Sequence, residues 1–226
     1  RHGERIAKGR ETPAPRRGAD GKIHPMAIFE ALRTTAAPDH IAIADGGDLL
    51  SFARVGVEAR TYMDAGAFGC LGVGVPFAVA AALAFPDRQV ISVNGDGAFG
   101  ISMNEMVSVG RDDWPDITMV VFRNYQWGAE KRNTILWYDD NFVGTELNRS
   151  VSYAAIAKAC GLEGVVVKTQ DELIQAIQQG CKAQQEGVTT FIEVVLNQEL
   201  GEPFRRDAMK APEVYAGINP EDLVTP

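Results

Sequence analysis

Long apolar segments, paired cysteines and positive charge are all scarce in this sequence. The most apolar run, residues 71–85, is shorter than the roughly 20 residues of a membrane-spanning helix, and glycine and proline interrupt it. The 3 cysteines have no metal-binding spacing, and their odd number favours reduced thiols in a cytoplasm. A net charge of -8 argues against a nucleic-acid-binding surface and against an anionic membrane as partner. We therefore expect a cytoplasmic protein whose ligand is neither a nucleic acid nor an anionic membrane.

The chain ends differ in composition from its centre. Residues 1–22 are rich in Arg, Gly and Pro without apolar periodicity, which predicts a linker, and they are too polar and basic for a signal peptide. Residues 23–197 are expected to form one domain, and the charged residues 198–226 an arm or a lid. Because the first residue is Arg1, we expect the chain to be part of something longer.

Between these ends, short β-branched runs alternate with amphipathic stretches. Strands are predicted at residues 41–44, 90–93, 117–122, 165–167 and 191–196. Helices are predicted at residues 25–35, 49–53, 71–85, 151–160 and 171–185, and one beginning near Ser102. The alternation predicts an α/β fold: a three-layer, doubly wound, mostly parallel sheet with helices on both faces.

A glycine-rich segment with one acid, residues 94–100 (NGDGAFG), follows the second predicted strand. Glycines let backbone N–H groups approach a phosphate closely, and the GxGxxG spacing also fits a dinucleotide site, so a non-catalytic nucleotide-binding Rossmann module stays open. Asp96 would repel a bare pyrophosphate unless a cation lay between them. Mg²⁺ would remove this conflict, and Asn124 can supply a second oxygen ligand at the end of the neighbouring strand.

The Gly-Asp-Gly motif and the Asn that follows after 26 residues resemble the cofactor motif of thiamine-diphosphate-dependent decarboxylases, lyases and acyl transferases. The resemblance implies that thiamine diphosphate and Mg²⁺ are the cofactors. It implies that Asp96 and Asn124 bind the metal through their side chains and that Gln126 binds it through its backbone carbonyl. Members of the family often have Asn where this sequence has Arg123, and the role of that charge is open.

The resemblance also implies a set of cofactor contacts. Leu71 takes the position of the wedge that bends the cofactor in this family, with plain core packing as the alternative. Gly46 and Gly47 fit the diphosphate better than Asp45 or Asp48, whose charge would oppose the anion, and Asp48 could instead cap a helix. The implied cofactor-binding residues are Gly46, Gly47, Leu71, Gly95, Asp96, Gly97, Ala98, Asn124, Gln126, Trp127 and Gly128.

Longer sequence words narrow the resemblance. Residues 97–106, 123–133 and 197–210 resemble the sulfoacetaldehyde acetyltransferases, whereas residues 45–75 look more like the acetolactate-synthase-like and 2-hydroxyacyl-CoA lyase branches. The first resemblance implies desulfonation of sulfoacetaldehyde, with phosphate as acceptor, to give acetyl phosphate and sulfite. The second keeps carboligation or C–C cleavage as the alternative.

An anionic substrate requires positive groups, although a surface salt bridge is the alternative role for each of them. The candidate substrate-binding residues are Arg123, Lys131, Arg132, Arg205 and Arg206.

In this family the catalytic glutamate lies in a different, pyrimidine-binding domain and reaches the cofactor across a subunit interface. Nothing in this sequence resembles that domain. The resemblance therefore implies a partner domain or subunit that supplies the glutamate, and a homodimer or homotetramer. We expect no turnover by this chain alone.

Overall fold

The computed structural model describes residues 17–18, 20–137 and 141–198 of the chain. Most of the predicted linker lies outside these residues. The predicted arm beyond Gln198, with Arg205 and Arg206, also lies outside them.

Within the described residues, six strands form one sheet in the order β2-β1-β3-β4-β6-β5, and every neighbouring pair is parallel. The strands are β1 Ile41–Asp45, β2 Thr61–Met63, β3 Val90–Gly95, β4 Thr118–Arg123, β5 Glu163–Val167 and β6 Thr190–Val195. The sheet confirms the predicted parallel α/β class. The short edge strand β2 was not predicted, because three partly exposed residues give too little periodicity.

The α-helices are α1 Met26–Thr35, α2 Asp48–Gly56, α3 Gly74–Ala84, α4 Asp96–Ile101, α5 Met106–Val109, α6 Gly128–Trp137, α7 Tyr153–Ala159 and α8 Gln170–Gln185. The helix predicted at residues 171–185 is confirmed as α8, which begins one residue earlier, after Thr169, and Thr169 forms a capping box with Glu172. The prediction of a helix starting near Ser102 was wrong, since α4 begins at Asp96 directly after β3. No helix among the described residues is long and apolar enough to cross a membrane.

Helices cover both faces of the sheet. On one face α1, α2 and α8 pack on alternate strand residues, as when the ring of Phe29 lies 5.7 Å from that of Phe122. On the other face α3, α4, α5 and α7 pack on the intervening strand residues, with the rings of Phe99 and Phe191 5.0 Å apart. The alternation of strand side chains between two apolar layers confirms the three-layer arrangement.

The order of the strands determines where the site can form. Strand β3 lies between β1 and β4, with Asp45 opposite Asn94 and Gly95 opposite Phe122. Because all three strands run in the same direction, their carboxyl ends lie at one edge of the sheet. The segments that follow these strands therefore meet there.

Candidate functional site

The segments after β1, β3 and β4 enclose a cleft with about 480 Å³ of empty space, part of it open to solvent. All eleven residues assigned above to cofactor contacts line this cleft. Residues that sequence reasoning did not assign to it also contribute, namely Pro25, Asp48, Leu49, Phe52, Phe122, Ala129 and Glu130. Residues from distant parts of the chain thus share one concave surface.

Two glycines of the cleft, Gly46 and Gly97, stand where a side chain would collide with its neighbours. Gly46 has φ +151°, and a Cβ there would lie 2.9 Å from the Cβ of Leu49 and 3.3 Å from the backbone nitrogen of Gly95. A Cβ on Gly97 would lie 2.7 Å from the ring of Trp127. The cleft therefore presents bare backbone on two sides, as a close approach to a diphosphate requires.

Asp96 is buried at the start of α4, beside the cleft. Its Oδ1 accepts a hydrogen bond from the backbone N–H of Gly97 at 2.9 Å, and its Oδ2 accepts one from Tyr125 at 2.6 Å and one from Arg123 at 3.2 Å. Burial raises the pKa of Asp96 to about 6, against the opposing effect of these donors. A second cation in the cleft would favour the ionised carboxylate.

Arg123 lies behind Asp96, with only 1% of its side chain exposed. Its Nε is 3.3 Å from Glu193, and one terminal nitrogen donates to the carbonyls of Asn148 and Val151. Its guanidinium also lies over the rings of Tyr125 and Tyr153, at 4.3 and 4.2 Å from their centroids. The charge whose role the sequence left open therefore joins two buried carboxylates beneath the cleft.

The turn after β4 has a special backbone. Tyr125 has φ +61°, which makes it the one non-glycine residue with positive φ in the described part of the chain. Such a conformation is uncommon without glycine, and here it places the Tyr125 N–H on Asp96. The ends of β3 and β4 are thereby tied together.

Asn124 and Gln126, on either side of Tyr125, offer oxygen atoms to the cleft. The Asn124 side-chain amide makes no hydrogen bond to any described residue. Gln126 lies opposite Glu146 in an isolated antiparallel β-bridge. The two backbone hydrogen bonds of this bridge are made by Tyr125 and Trp127, so the bridge does not use the carbonyl of Gln126. A carboxylate, an amide oxygen and a carbonyl form an oxygen set suited to Mg²⁺.

Other protein ligands for a metal are scarce nearby. The described residues contain no cluster of three or more His, Cys, Asp or Glu side chains that could hold an ion. An ion held by Asp96, Asn124 and Gln126 would take its remaining ligands from phosphate oxygens and water. The donor set therefore fits a metal that arrives with a diphosphate.

The side chain of Gln126 secures the loop of residues 124–126 to Gln198, which follows the last strand. Its Nε2 donates to the carbonyl of Gln198 at 3.2 Å, and Nε2 of Gln198 donates to the carbonyl of Asn124 at 3.0 Å and to Glu146 at 3.2 Å. Sequence reasoning missed this contact, which joins residues more than seventy positions apart.

Leu71 reaches the cleft on a turn held by Asp45. The Asp45 Oδ2 accepts hydrogen bonds from the backbone N–H groups of Gly72 and Gly74 at 2.9 and 2.8 Å. Its carboxyl group thus faces this turn, and Asp45 is not among the residues that line the cleft, which removes the electrostatic objection raised against it above. An acid that ends a fully buried apolar strand must find donors, and this signal could have identified Asp45 from the sequence.

The three predicted substrate cations that lie within the described residues are already paired, and the pairs of Arg123 are described above. Lys131 pairs with Glu146, and Arg132 lies 2.8 Å from Asp48, which is the first residue of α2 rather than its cap. Arg123, Lys131 and Arg132 do not line the cleft. Substrate contact by these residues stays a prediction.

Most of this chain is similar to known proteins. Residues 45–194 match the family described as thiamine pyrophosphate enzyme, C-terminal TPP binding domain. The chain is 60% identical over 166 residues to a sulfoacetaldehyde acetyltransferase of Roseovarius nubinhibens, covering 74% of this chain and 28% of that protein. It is 51% identical over 207 residues to a probable sulfoacetaldehyde acetyltransferase of Rhizobium meliloti, covering 90% of this chain and 35% of that protein. The chain thus spans about a third of the length of these curated relatives.

A solved structure is similar in fold. The thiamine diphosphate-dependent 4-hydroxybenzoylformate decarboxylase of Rhodococcus jostii RHA1 superposes with a TM-score of 0.73 at 25% identity. The superposition covers 82% of this chain and 34% of that one.

Proposed function

Because the chain belongs to the thiamine pyrophosphate enzymes, as their C-terminal cofactor-binding domain, we propose that its cleft holds thiamine diphosphate together with Mg²⁺. Asp96 and Asn124 bind the metal through their side chains, and Gln126 binds it through its carbonyl. The observation that carries this proposal is the convergence of these three residues, with an unhydrogen-bonded Asn124 amide, on one glycine-walled cleft.

The remaining residues of the cleft bind and orient the cofactor. Gly97 and Ala98 offer backbone N–H groups to the diphosphate, and Gly46 and Gly47 close the opposite wall. Leu71 supports the cofactor from the turn that Asp45 holds. When bound, thiamine diphosphate supplies the carbanion chemistry, while the protein contributes binding, orientation and electrostatics.

The proposed reaction of the complete protein is the conversion of sulfoacetaldehyde and phosphate to acetyl phosphate and sulfite. The similarity to a sulfoacetaldehyde acetyltransferase at 60% identity and to a probable one at 51% identity supports this reaction. Positive groups must meet both the sulfonate and the phosphate, and Arg205 and Arg206 are the proposed cations outside the described residues.

A partner must complete the site. We propose that a pyrimidine-binding domain, which supplies the catalytic glutamate, contacts this chain beside the turn that carries Leu71. Phe68, three residues before Leu71, is 94% exposed, and a Cβ on Gly72 would lie 2.8 Å from the exposed Ile101. Large apolar side chains around an open cleft fit a surface that a partner covers. The partner domain belongs either to the same polypeptide or to a separate subunit. A homodimer or homotetramer would bring it to the cleft of this chain.

The proposed location is the cytoplasm. Cys70, Cys160 and Cys181 are all free thiols, which suits a reducing compartment.

Calorimetry tests the cofactor assignment. Thiamine diphosphate should bind with Mg²⁺ and should bind at least tenfold more weakly when EDTA removes the metal. Asp96→Ala should abolish the metal dependence, whereas Asp113→Ala, which changes an exposed acid, should not. Binding of NAD instead, or metal-independent binding of thiamine diphosphate, would overturn the proposal.

Product analysis of the complete protein tests the reaction. Sulfite and acetyl phosphate should appear together from sulfoacetaldehyde and phosphate. Acetolactate from pyruvate, without sulfite release from sulfoacetaldehyde, would assign the protein to carboligation instead. Sustained turnover by the 226-residue chain alone would contradict the need for a partner glutamate.

A further inference from the structure

Two buried oxygen atoms without hydrogen-bond partners lie at neighbouring strand ends. Oδ1 of Asp45 and Oδ1 of Asn94 are both buried and unpaired among the described residues. Asp45 is opposite Asn94 in the register of β1 and β3, so their side chains lie on the same face of the sheet. A Cβ placed on Gly74 would lie 1.8 Å from the Asn94 Oδ1 and 2.8 Å from the Asp45 Cβ. Two side chains, each with one unpaired buried oxygen, therefore border the Gly74 backbone, which requires an explanation.

The other polar atoms of both side chains are already used. Oδ2 of Asp45 accepts the two glycine N–H groups described above. Nδ2 of Asn94 donates to the Ser92 hydroxyl at 2.9 Å, and that hydroxyl donates to the Gly74 carbonyl at 3.2 Å. Since the Ser92 proton is used on Gly74, the hydroxyl must accept from Asn94. In this arrangement the amide oxygen of Asn94 faces away from Ser92.

We infer that Asp45 carries a proton in the folded protein and donates it from Oδ1 to Oδ1 of Asn94. Asp45, Ser92 and Asn94 then form a closed set of hydrogen bonds around Gly72 and Gly74, here called the Asp45 clasp. The proton comes from water, and one hydrogen bond satisfies both unpaired oxygens. Asp45 is thereby a positioning residue, because it acts on the cleft through the turn that carries Leu71.

The charges around Asp45 agree with a neutral acid. Burial raises the pKa of Asp45, against the opposing effect of the backbone N–H groups of Gly74, Gly72 and Val73. Helix α3 and strand β3 contain no titratable residue, and Tyr62 of β2 packs with the opposite layer. On α2, Asp48 pairs with Arg132 and Arg54 with Asp64. Asp96, next after β3, faces Arg123.

The Asp45 clasp also has a consequence for cofactor binding. This consequence rests on the proposed function, whereas the hydrogen bond between Asp45 and Asn94 is independent of it. Leu71 directly precedes Gly72, whose φ of +90° bends the turn. If the clasp opened, the turn would lose both contacts of its N–H groups with Asp45, and Leu71 would lose its fixed position in the cleft.

Infrared difference spectroscopy of the complete protein tests the proton. Wild type minus Asp45→Asn at neutral pH should show the carbonyl band of a protonated carboxylic acid. Wild type minus Asp113→Asn, the exposed control, should show carboxylate bands alone. Asp45→Asn should keep the wild-type urea midpoint, because its amide can donate to Asn94, whereas Asp45→Leu should lower it. A carboxylate band for Asp45 would overturn the inference.

Hydrogen exchange tests the positioning role. Asn94→Ala removes the acceptor and should raise the exchange rate of the Gly72 and Gly74 amides roughly five- to tenfold, together with the Kd for thiamine diphosphate. Ser102→Ala removes a buried hydroxyl without a partner beside the same turn and should change neither. Wild-type exchange in Asn94→Ala would overturn the role. Failure of the wild type to bind thiamine diphosphate would instead refute the proposed function and leave the infrared result standing.

Discussion

Asp45 and Asp96 are buried carboxyl groups at the ends of adjacent strands β1 and β3, yet their surroundings differ. Asp96 has Arg123 at 3.2 Å, whereas within the described part of the chain Asp45 accepts hydrogen bonds only from backbone N–H groups, and only on one oxygen. Burial raises the pKa of both. The comparison teaches that a buried acid can be stabilised either by a cation, which keeps it available as a metal ligand, or by a proton, which makes it a structural hydrogen-bond donor.

Removing the cation from Asp96 should have the largest effect. Arg123→Met leaves Asp96 and Glu193 buried without their shared partner, and we expect it to lower the free energy of unfolding by about 3–5 kcal/mol. Urea unfolding measures the loss. Arg149→Met is the matched control, because Arg149 also lies over the Tyr125 ring but is exposed, and it should cost no more than about 1 kcal/mol. Equal losses in the two variants would contradict the comparison.

The pH dependence of stability should separate the two acids next. A carboxyl with a raised pKa binds a proton more tightly in the folded state, so stability is highest below the ordinary carboxyl pKa and is lost as pH rises through the folded pKa. For Asp96 this window runs from about 4 to about 6, and a shift of this size corresponds to roughly 2–3 kcal/mol.

Metal-free urea unfolding across this pH range gives the measurement. Asp96→Asn should flatten the decline between pH about 4 and about 6. Asp45→Asn should remove the part of the decline in stability that Asp45 causes. The double variant should show the sum of the two changes in slope. A wild-type slope in either single variant would show that the acid concerned titrates normally.

Two glycine substitutions should sharpen the contrast further. Gly74→Ala places a methyl group against Asn94 and Asp45 in the buried sheet and should destabilise the fold by about 1–3 kcal/mol. Gly97→Ala meets the half-buried Trp127 ring, which can move toward the cleft, so it should cost less stability but weaken cofactor binding. Thermal unfolding and calorimetry on both variants measure the two effects. The reverse ranking of stability would contradict this reading.

The smallest effect should come from a site remote from both acids. Thr169→Ala removes the cap of α8 and should cost about 1 kcal/mol without changing the pH slope. Urea unfolding at two pH values measures both quantities. A changed slope would mean that global stability, rather than Asp45 or Asp96, sets the pH dependence.

Local sequence patterns predicted the elements whose causes are local. The amphipathic pattern of residues 171–185 located α8 to within one residue, and the predicted strands before Asp96 and Asn124 placed these two residues at neighbouring strand ends. Helix α4 was misplaced because glycine has low helix propensity, which tertiary packing overrides here.

Contacts between distant residues could not be predicted in this way. Glu193, which pairs with Arg123, lies seventy positions away on β6. Asp45 looked unsuitable beside a phosphate because its donors, Gly72 and Gly74, come from a turn more than twenty-five positions later. In both cases the sequence showed a charge in an apolar strand, but only the fold identified its partner.

If Asn124 and Gln126 bind a metal as proposed, the hydrogen bonds between Gln198 and the Asn124–Gln126 loop link metal binding to the completion of folding. Gln198 follows β6, so these bonds form only after the last strand has joined the sheet. A nascent or truncated chain ending before Gln198 would retain both side chains proposed to bind the metal, those of Asp96 and Asn124, but lack the bonds that Gln198 makes with the Asn124–Gln126 loop. Affinity for Mg²⁺ would then report whether the last segment of the domain had docked.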